Sequence, residues 1–200
     1  MSQPVSGAKA MVASSQRLAT TVGVQLLEDG GSAVDAAIGV NAMLNLIEPY
    51  MCGLGGDLFA QVWEPEAGRL HGLNASGRAP RGQTLDVLRS KLGDQRMIPG
   101  NGVHGITVPG AVRGWAALHE RFGRLDLGSI FAPVIEHAES GVEVGPATAE
   151  WWYHCAATVT EDATLGALAD GFRRTYLVDG AAPQTGTQFR NPALGNSYAR

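Results

Sequence analysis

The 200 residues are 44% hydrophobic and carry a formal charge of −4. That is enough apolar material for one sizeable core, and it is not the profile of a disordered or collagen-like chain. Scattered Lys and Arg residues among a slight excess of acids exclude a large nucleic-acid surface, which needs clustered cations.

No run reaches the length of a membrane-spanning helix; the most apolar one, Ala33 to Ile47, is short and is broken by Asp35, Asn41 and Asn45. No membrane partner is therefore expected. The opening MSQPVSGAKAMVASS lacks a charged region followed by an apolar core, so the expected location is cytoplasmic.

Lys9 to Ser14 is short and apolar and reads as a first strand. Gln16 to Asp29 places Leu18, Val22 and Leu26 on one helical face, closed by Gly30-Gly31 as a left-handed C-cap. Ser32 then caps a second helix, with Asp35 three residues on in a capping box. Apolar residues cover nearly every face of that helix, which predicts burial all round, and Gly39 and the alanines predict close approach to a neighbour. Pro49 stops it.

Next comes the glycine cluster Gly53, Gly55, Gly56, expected to turn a buried helix sharply into a strand and to let backbones pack closely. Asp57 to Trp63 and Arg69 to Asn74 read as a hairpin across a Pro-Glu-Ala-Gly turn. Thr84 to Leu92 is a short helix, Gly93 to Gly102 a loop, Val103 to Val108 a strand, and Ala111 to Phe122 a helix ended by Gly123. Leu127 to Ala138 keeps helical spacing, with Pro133 expected to split it into two pieces and Gly141 to end it. Pro146 to Val159 and Ala163 to Tyr176 read as further helices, and Asn191-Pro192 as the opening of another. No repeat or linker divides the chain, so residues 1–200 are expected to form a single, incomplete domain.

Few residues announce chemistry. CGLGGD lacks the Gly-Lys-Ser/Thr ending of a phosphate loop and precedes a strand instead of opening a helix. Cys52 and Cys155 match no metal spacing and are too few for a disulfide scaffold; a buried apolar role is the favoured reading of Cys52 over a reactive thiol. The five histidines have no ligand-like spacing, and His119 and His137 read as surface or half-buried. No metal or organic cofactor is implied. Arg78 stands out: it follows a strand, sits among small residues and precedes Ala-Pro, where a guanidinium can take a carboxylate bidentately. A solvated loop arginine is the plainer alternative.

Five segments then fall in one order: VASSQRLATTVGVQLLEDGGSAVDAAIGVNAMLNLIEP, CGLGGDLF, SGRAP, GITVPGAVRGWAALHERFGRL and APVIEHAESGVEV. In that order they resemble the first part of the large subunit of the gamma-glutamyltransferase family. The resemblance is good from Ala8 to Val144 and weaker beyond, and the SGRAP form resembles an often signal-less branch.

It implies an α/β fold of the N-terminal-nucleophile hydrolase type, a sandwich of two sheets between helical layers, held here only in part. It also implies a self-cleaving proenzyme whose small subunit begins with a nucleophilic threonine, assisted by its own amino group. That threonine would attack the γ-amide of glutathione or a relative, and water or an amine would release the acyl group. No residue of this chain matches the nucleophile or the oxyanion hole, so no catalytic residue is assigned and the 200 residues alone are expected to be inactive. The implied partners are a small acyl amide and the small subunit of the same precursor.

In typical members an arginine a few residues ahead of an Ala-Pro pair grips the glutamyl α-carboxylate. Setting Ala79-Pro80 on that pair places Ser76 at the arginine position and Arg78 two residues later. Losing such a charge-assisted contact weakens binding by about 1.5–3 kcal/mol. Either Arg78 swings in to do the same work, or the protein takes another acyl group, as the related glutaryl (cephalosporin) acylases do. A non-catalytic family member is a third reading. Arg78, Ser76 and Asn74 are the candidate substrate contacts.

Overall fold

The computed structural model describes residues 6–100, 102–162 and 165–200. The described residues divide into two compact units, one within 1–52, 115–152 and 183–200, the other within 53–114 and 153–182.

The first unit is built on a helical pair. Helix α1 (Arg17–Glu28) ends in a Schellman motif: Gly30 lies at φ 92°, Gly30 N–H donates to Leu27 O at 3.2 Å, and Gly31 N–H donates to Leu26 O at 2.9 Å. Helix α2 (Ala33–Ile47) opens on the expected capping box, with Asp35 N–H donating to Ser32 Oγ at 3.1 Å and Ser32 N–H to Asp35 Oδ2 at 2.8 Å. Ile38, Ala42, Met43 and Leu46 are almost wholly buried. At Gly39 a Cβ would run into Leu26 Cδ1, and at Gly23 it would lie 2.6 Å from Val40 Cγ2. These two glycines let α1 and α2 approach closely. Asn41 and Asn45, the polar breaks in the apolar run, are both matched: Asn41 Oδ1 accepts from Trp115 Nε1 at 3.0 Å, and Asn45 Nδ2 donates to Tyr198 Oη at 2.9 Å.

Helix α3 (Leu85–Leu92) belongs to the second unit, and α4 (Ala111–Phe122) runs from the second unit into the first. Helix α5 (Leu127–Ser140) is one continuous helix with Pro133 inside it, not the expected two pieces. Proline removes one N–H from the ladder, but Ile130, Val134 and Ala138 form a fully buried stripe running across it, and that burial holds both halves in line. Asp126 caps α5, its carboxylate accepting from Ser129 N at 2.9 Å and Ser129 Oγ at 2.7 Å. Strand β3 (Val142–Glu143) pairs antiparallel with β4 (Gln188–Phe189), and α8 (Pro192–Tyr198) follows with Asn191 as its cap. Phe131 and Tyr198 stack with centroids 4.9 Å apart, and Trp115 lies 5.8 Å from Phe131. Between β3 and β4 in sequence run α6 (Pro146–Glu161) and α7 (Ala167–Tyr176); Ala163 and Thr164, expected to start the latter, fall outside the described residues.

The second unit contains the hairpin of β1 (Leu58–Glu64) and β2 (Arg69–Ala75), paired antiparallel from Leu58–Ala75 to Glu64–Arg69. Its turn closes through Gly68 at φ 57°. Leu58, Ala60 and Val62 are partly covered, while Phe59, Trp63 and Leu70 stand exposed on the other face.

Two expected strands are absent. Lys9–Ser14 pairs with no strand among the described residues; Val12 instead packs on Gly23 of α1. Val103–Val108 begins with a 3₁₀ turn (Val103–Gly105), and the rest runs as irregular backbone; Val108 N–H donates to the Arg78 carbonyl at 2.9 Å, but no ladder of such bonds extends along the segment. No described helix is long and apolar enough to cross a membrane.

Candidate functional site

Three loops of the second unit meet at the end of the hairpin. Each carries one of the motifs singled out in the sequence: Gly53–Asp57 before β1, Ser76–Pro80 after β2, and Thr107–Gly110 before α4. Backbone hydrogen bonds tie them together. Val108 N–H donates to Arg78 O at 2.9 Å, and Gly110 N–H and Ala111 N–H both donate to Gly56 O, at 3.1 and 3.0 Å. The Gly56 carbonyl thus satisfies donors that the first turn of α4 leaves unpaired. Side chains add to the weave: Thr107 Oγ1 donates to Ser76 O at 3.1 Å and lies 3.3 Å from Asp57 Oδ1.

The glycines needed for close packing are not the expected ones. A Cβ on Gly53 or Gly55 would meet nothing within 4 Å, and neither has a positive φ. These two serve the turn, which Gly56 N–H closes onto Gly53 O at 3.1 Å. Close approach falls instead on Gly77, Gly110 and Gly114. A Cβ on Gly77, at φ 77°, would overlap Val108 O, and one on Gly110 would overlap Ala75 O. On Gly114 it would sit 2.9 Å from both Ala75 Cβ and Leu58 Cδ2.

The three candidate contacts differ in what they have left to offer. Asn74 Oδ1 accepts from Ser76 N–H at 3.0 Å, an Asx turn that shapes the loop. Ser76 is half-buried, its Oγ 3.5 Å from Gly77 O. Arg78 is exposed, and its guanidinium has no ion-pair or hydrogen-bond partner among the described residues. Only its backbone is fixed. Such an arginine can accept an anion without breaking an existing contact.

A second polar cluster lies in the first unit. Glu48, 9% exposed, accepts from Ser15 Oγ at 3.0 Å and Gln16 Nε2 at 2.7 Å, and Gln16 Nε2 lies 3.3 Å from Thr148 Oγ1. The Glu48 carbonyl also accepts from Met51 and Cys52 N–H, both at 2.9 Å. Burial pushes the Cys52 thiol up, and Glu48 pushes it further the same way. An activated thiolate needs the opposite shift. Among the described residues no three metal-ligating side chains converge.

The family model for gamma-glutamyltranspeptidase matches residues 19–200. A glutathione hydrolase-like proenzyme of Bacillus subtilis, YwrD, is 35% identical over 98% of this chain and 36% of its own length. An oxamate amidohydrolase proenzyme of Klebsiella pneumoniae is 33% identical over 94% of this chain and 34% of its own. The crystal structure of a cephalosporin acylase from Bacillus halodurans superposes with a TM-score of 0.85 and 36% identity, over 99% of this chain and 38% of that one.

The fold is therefore that of N-terminal-nucleophile hydrolases, seen through the portion this chain represents. The chain belongs to the gamma-glutamyltranspeptidase family. It spans about a third of the length of the relatives it matches.

Thr107 and Asp57 were not singled out from the sequence. Each lies inside a recognised motif, but the bond that joins them spans 50 residues and leaves no local signature.

Proposed function

We propose that this chain supplies the acyl-binding side of an enzyme that cleaves γ-glutamyl amides such as glutathione and passes the acyl group to water or an amine. The bond-breaking threonine would lie on the small subunit of the same precursor, which would also cover the exposed Phe59, Trp63 and Leu70 face of the hairpin. The observation that carries the reading is Arg78, exposed, without a partner among the described residues, and held by its backbone in a loop woven from the family's own motifs. Its guanidinium would take the acyl group's carboxylate, as a bidentate anion contact does.

A second reading has its own support. Setting Ala79-Pro80 on the family's Ala-Pro pair would put Ser76 at the place of the gripping arginine, and one similar structure is a cephalosporin acylase. On that reading the acyl group is glutaryl-like. Assay of the full-length, processed protein on a γ-glutamyl anilide and on a glutaryl amide separates the two. Turnover of the first is expected; turnover of the second alone would replace it. No turnover of any amide, with the precursor uncut, would make the protein a non-catalytic member.

A further inference from the structure

We propose that Thr107 is a positioning residue that sets which acyl groups Arg78 can hold. This rests on the reading of Arg78 as the carboxylate contact. The hydroxyl of Thr107 has one hydrogen and two acceptors, Ser76 O at 3.1 Å and Asp57 Oδ1 at 3.3 Å. One residue on, Val108 N–H holds Arg78 O at 2.9 Å. The pair Thr107-Val108 thus grips the loop on both sides of Gly77, at Ser76 and at Arg78. Gly77 lies at φ 77°, where the Val108 carbonyl fills the space a side chain would need.

The guanidinium of Arg78 has no side-chain partner of its own among the described residues, so its placement depends on where this backbone is held. Releasing Ser76 O frees the φ/ψ angles on the near side of Gly77, which has the widest conformational range of any residue. A guanidinium that must be found among several placements binds an anion more weakly. A neutral acyl tail, which gains nothing from the guanidinium, is indifferent to the change.

The test uses the full-length, processed protein with an anionic acyl anilide and its carboxamide-tailed counterpart. Thr107→Val is expected to raise KM for the anionic substrate roughly fivefold, the loss of one ordinary hydrogen bond. Its kcat and the KM of the neutral counterpart stay within about twofold. Thr107→Ser, which keeps the hydroxyl, restores the anionic KM. Equal changes for both substrates, or no change for either, overturn the proposal. Arg78→Ala run alongside separates the two claims. If Arg78→Ala leaves the anionic KM unchanged, the Arg78 reading fails; if it raises KM while Thr107→Val does not, only the role of Thr107 fails. If Thr107→Val does not mature, Thr107→Ala carries the comparison. Failure of all three Thr107 variants to mature, with Arg78→Ala maturing normally, also overturns it, because Thr107 would then hold the fold and not the loop.

Discussion

Asp35 does more than its sequence neighbours reveal. The capping box with Ser32 is legible in four adjacent residues. The same Oδ2 also accepts from Arg124 N–H at 2.9 Å and Leu125 N–H at 3.2 Å, a link of about 90 residues that no local pattern announces. Asp35 is wholly buried. Removing it leaves three part-buried donors, Ser32, Arg124 and Leu125 N–H, to find water instead, a smaller cost each than the roughly 1–3 kcal/mol of a fully buried one. Asp35→Ala should therefore lower stability by about 1–3 kcal/mol, read as a fall in the denaturation midpoint. Asp126 shows the exposed counterpart. The Ser129 hydroxyl, then the Ser129 N–H, hold its carboxyl below the ordinary aspartate range. A depressed folded value means the cap's contribution is present at neutral pH and is lost as the pH falls below about 4. Asp126→Ala should lower the melting temperature at pH 7 and bring the variant and the parent together in strong acid. Arg78 belongs to this scale too: Arg78→Ala should raise KM for an anionic acyl substrate by about tenfold or more, with a smaller effect on kcat.

At the scale of elements, the loops are where sequence reasoning was weakest. Glycine content pointed to Gly53, Gly55 and Gly56, yet among the three loops at the hairpin's end it is Gly77 and Gly110 where a Cβ would overlap backbone carbonyls. Both face carbonyl oxygens contributed by segments about 30 residues away in sequence, so the requirement is tertiary and leaves no local sign. Gly77→Ala should destabilise by several kcal/mol, since a positive φ alone costs about 1–2 kcal/mol and the Val108 carbonyl must also move. Gly55→Ala, in open space, should change stability by less than about 1 kcal/mol. Equal midpoints for the two variants would refute the assignment. The capped helices were legible because their signals are local: Ser32, Thr84 and Asn191 each accept from a backbone N–H three residues on. The β-branched composition of Val103–Val108 reports only a preference; a strand also needs a neighbour to pair with along its length, and here a single bond, Val108 N–H to Arg78 O, is made. Pro133 was misread for the converse reason, a local breaker overridden by a buried stripe.

For the molecule as a whole, composition gave a globular class and no more. The ordered series of motifs gave the family, and the superposition on the cephalosporin acylase carries the fold. The layered sandwich that this fold implies is not displayed by two short ladders: the hairpin has one exposed apolar face, with Phe59 at 68% and Trp63 at 60% exposure. The central claim is that this chain holds the acyl group while another part of the protein breaks the bond. Peptide mapping by mass spectrometry of the full-length enzyme, trapped as its acyl intermediate, tests it most directly. The account predicts the acyl mass on a threonine outside residues 1–200; the same mass on Cys52, Ser76 or any other residue of this chain would contradict it.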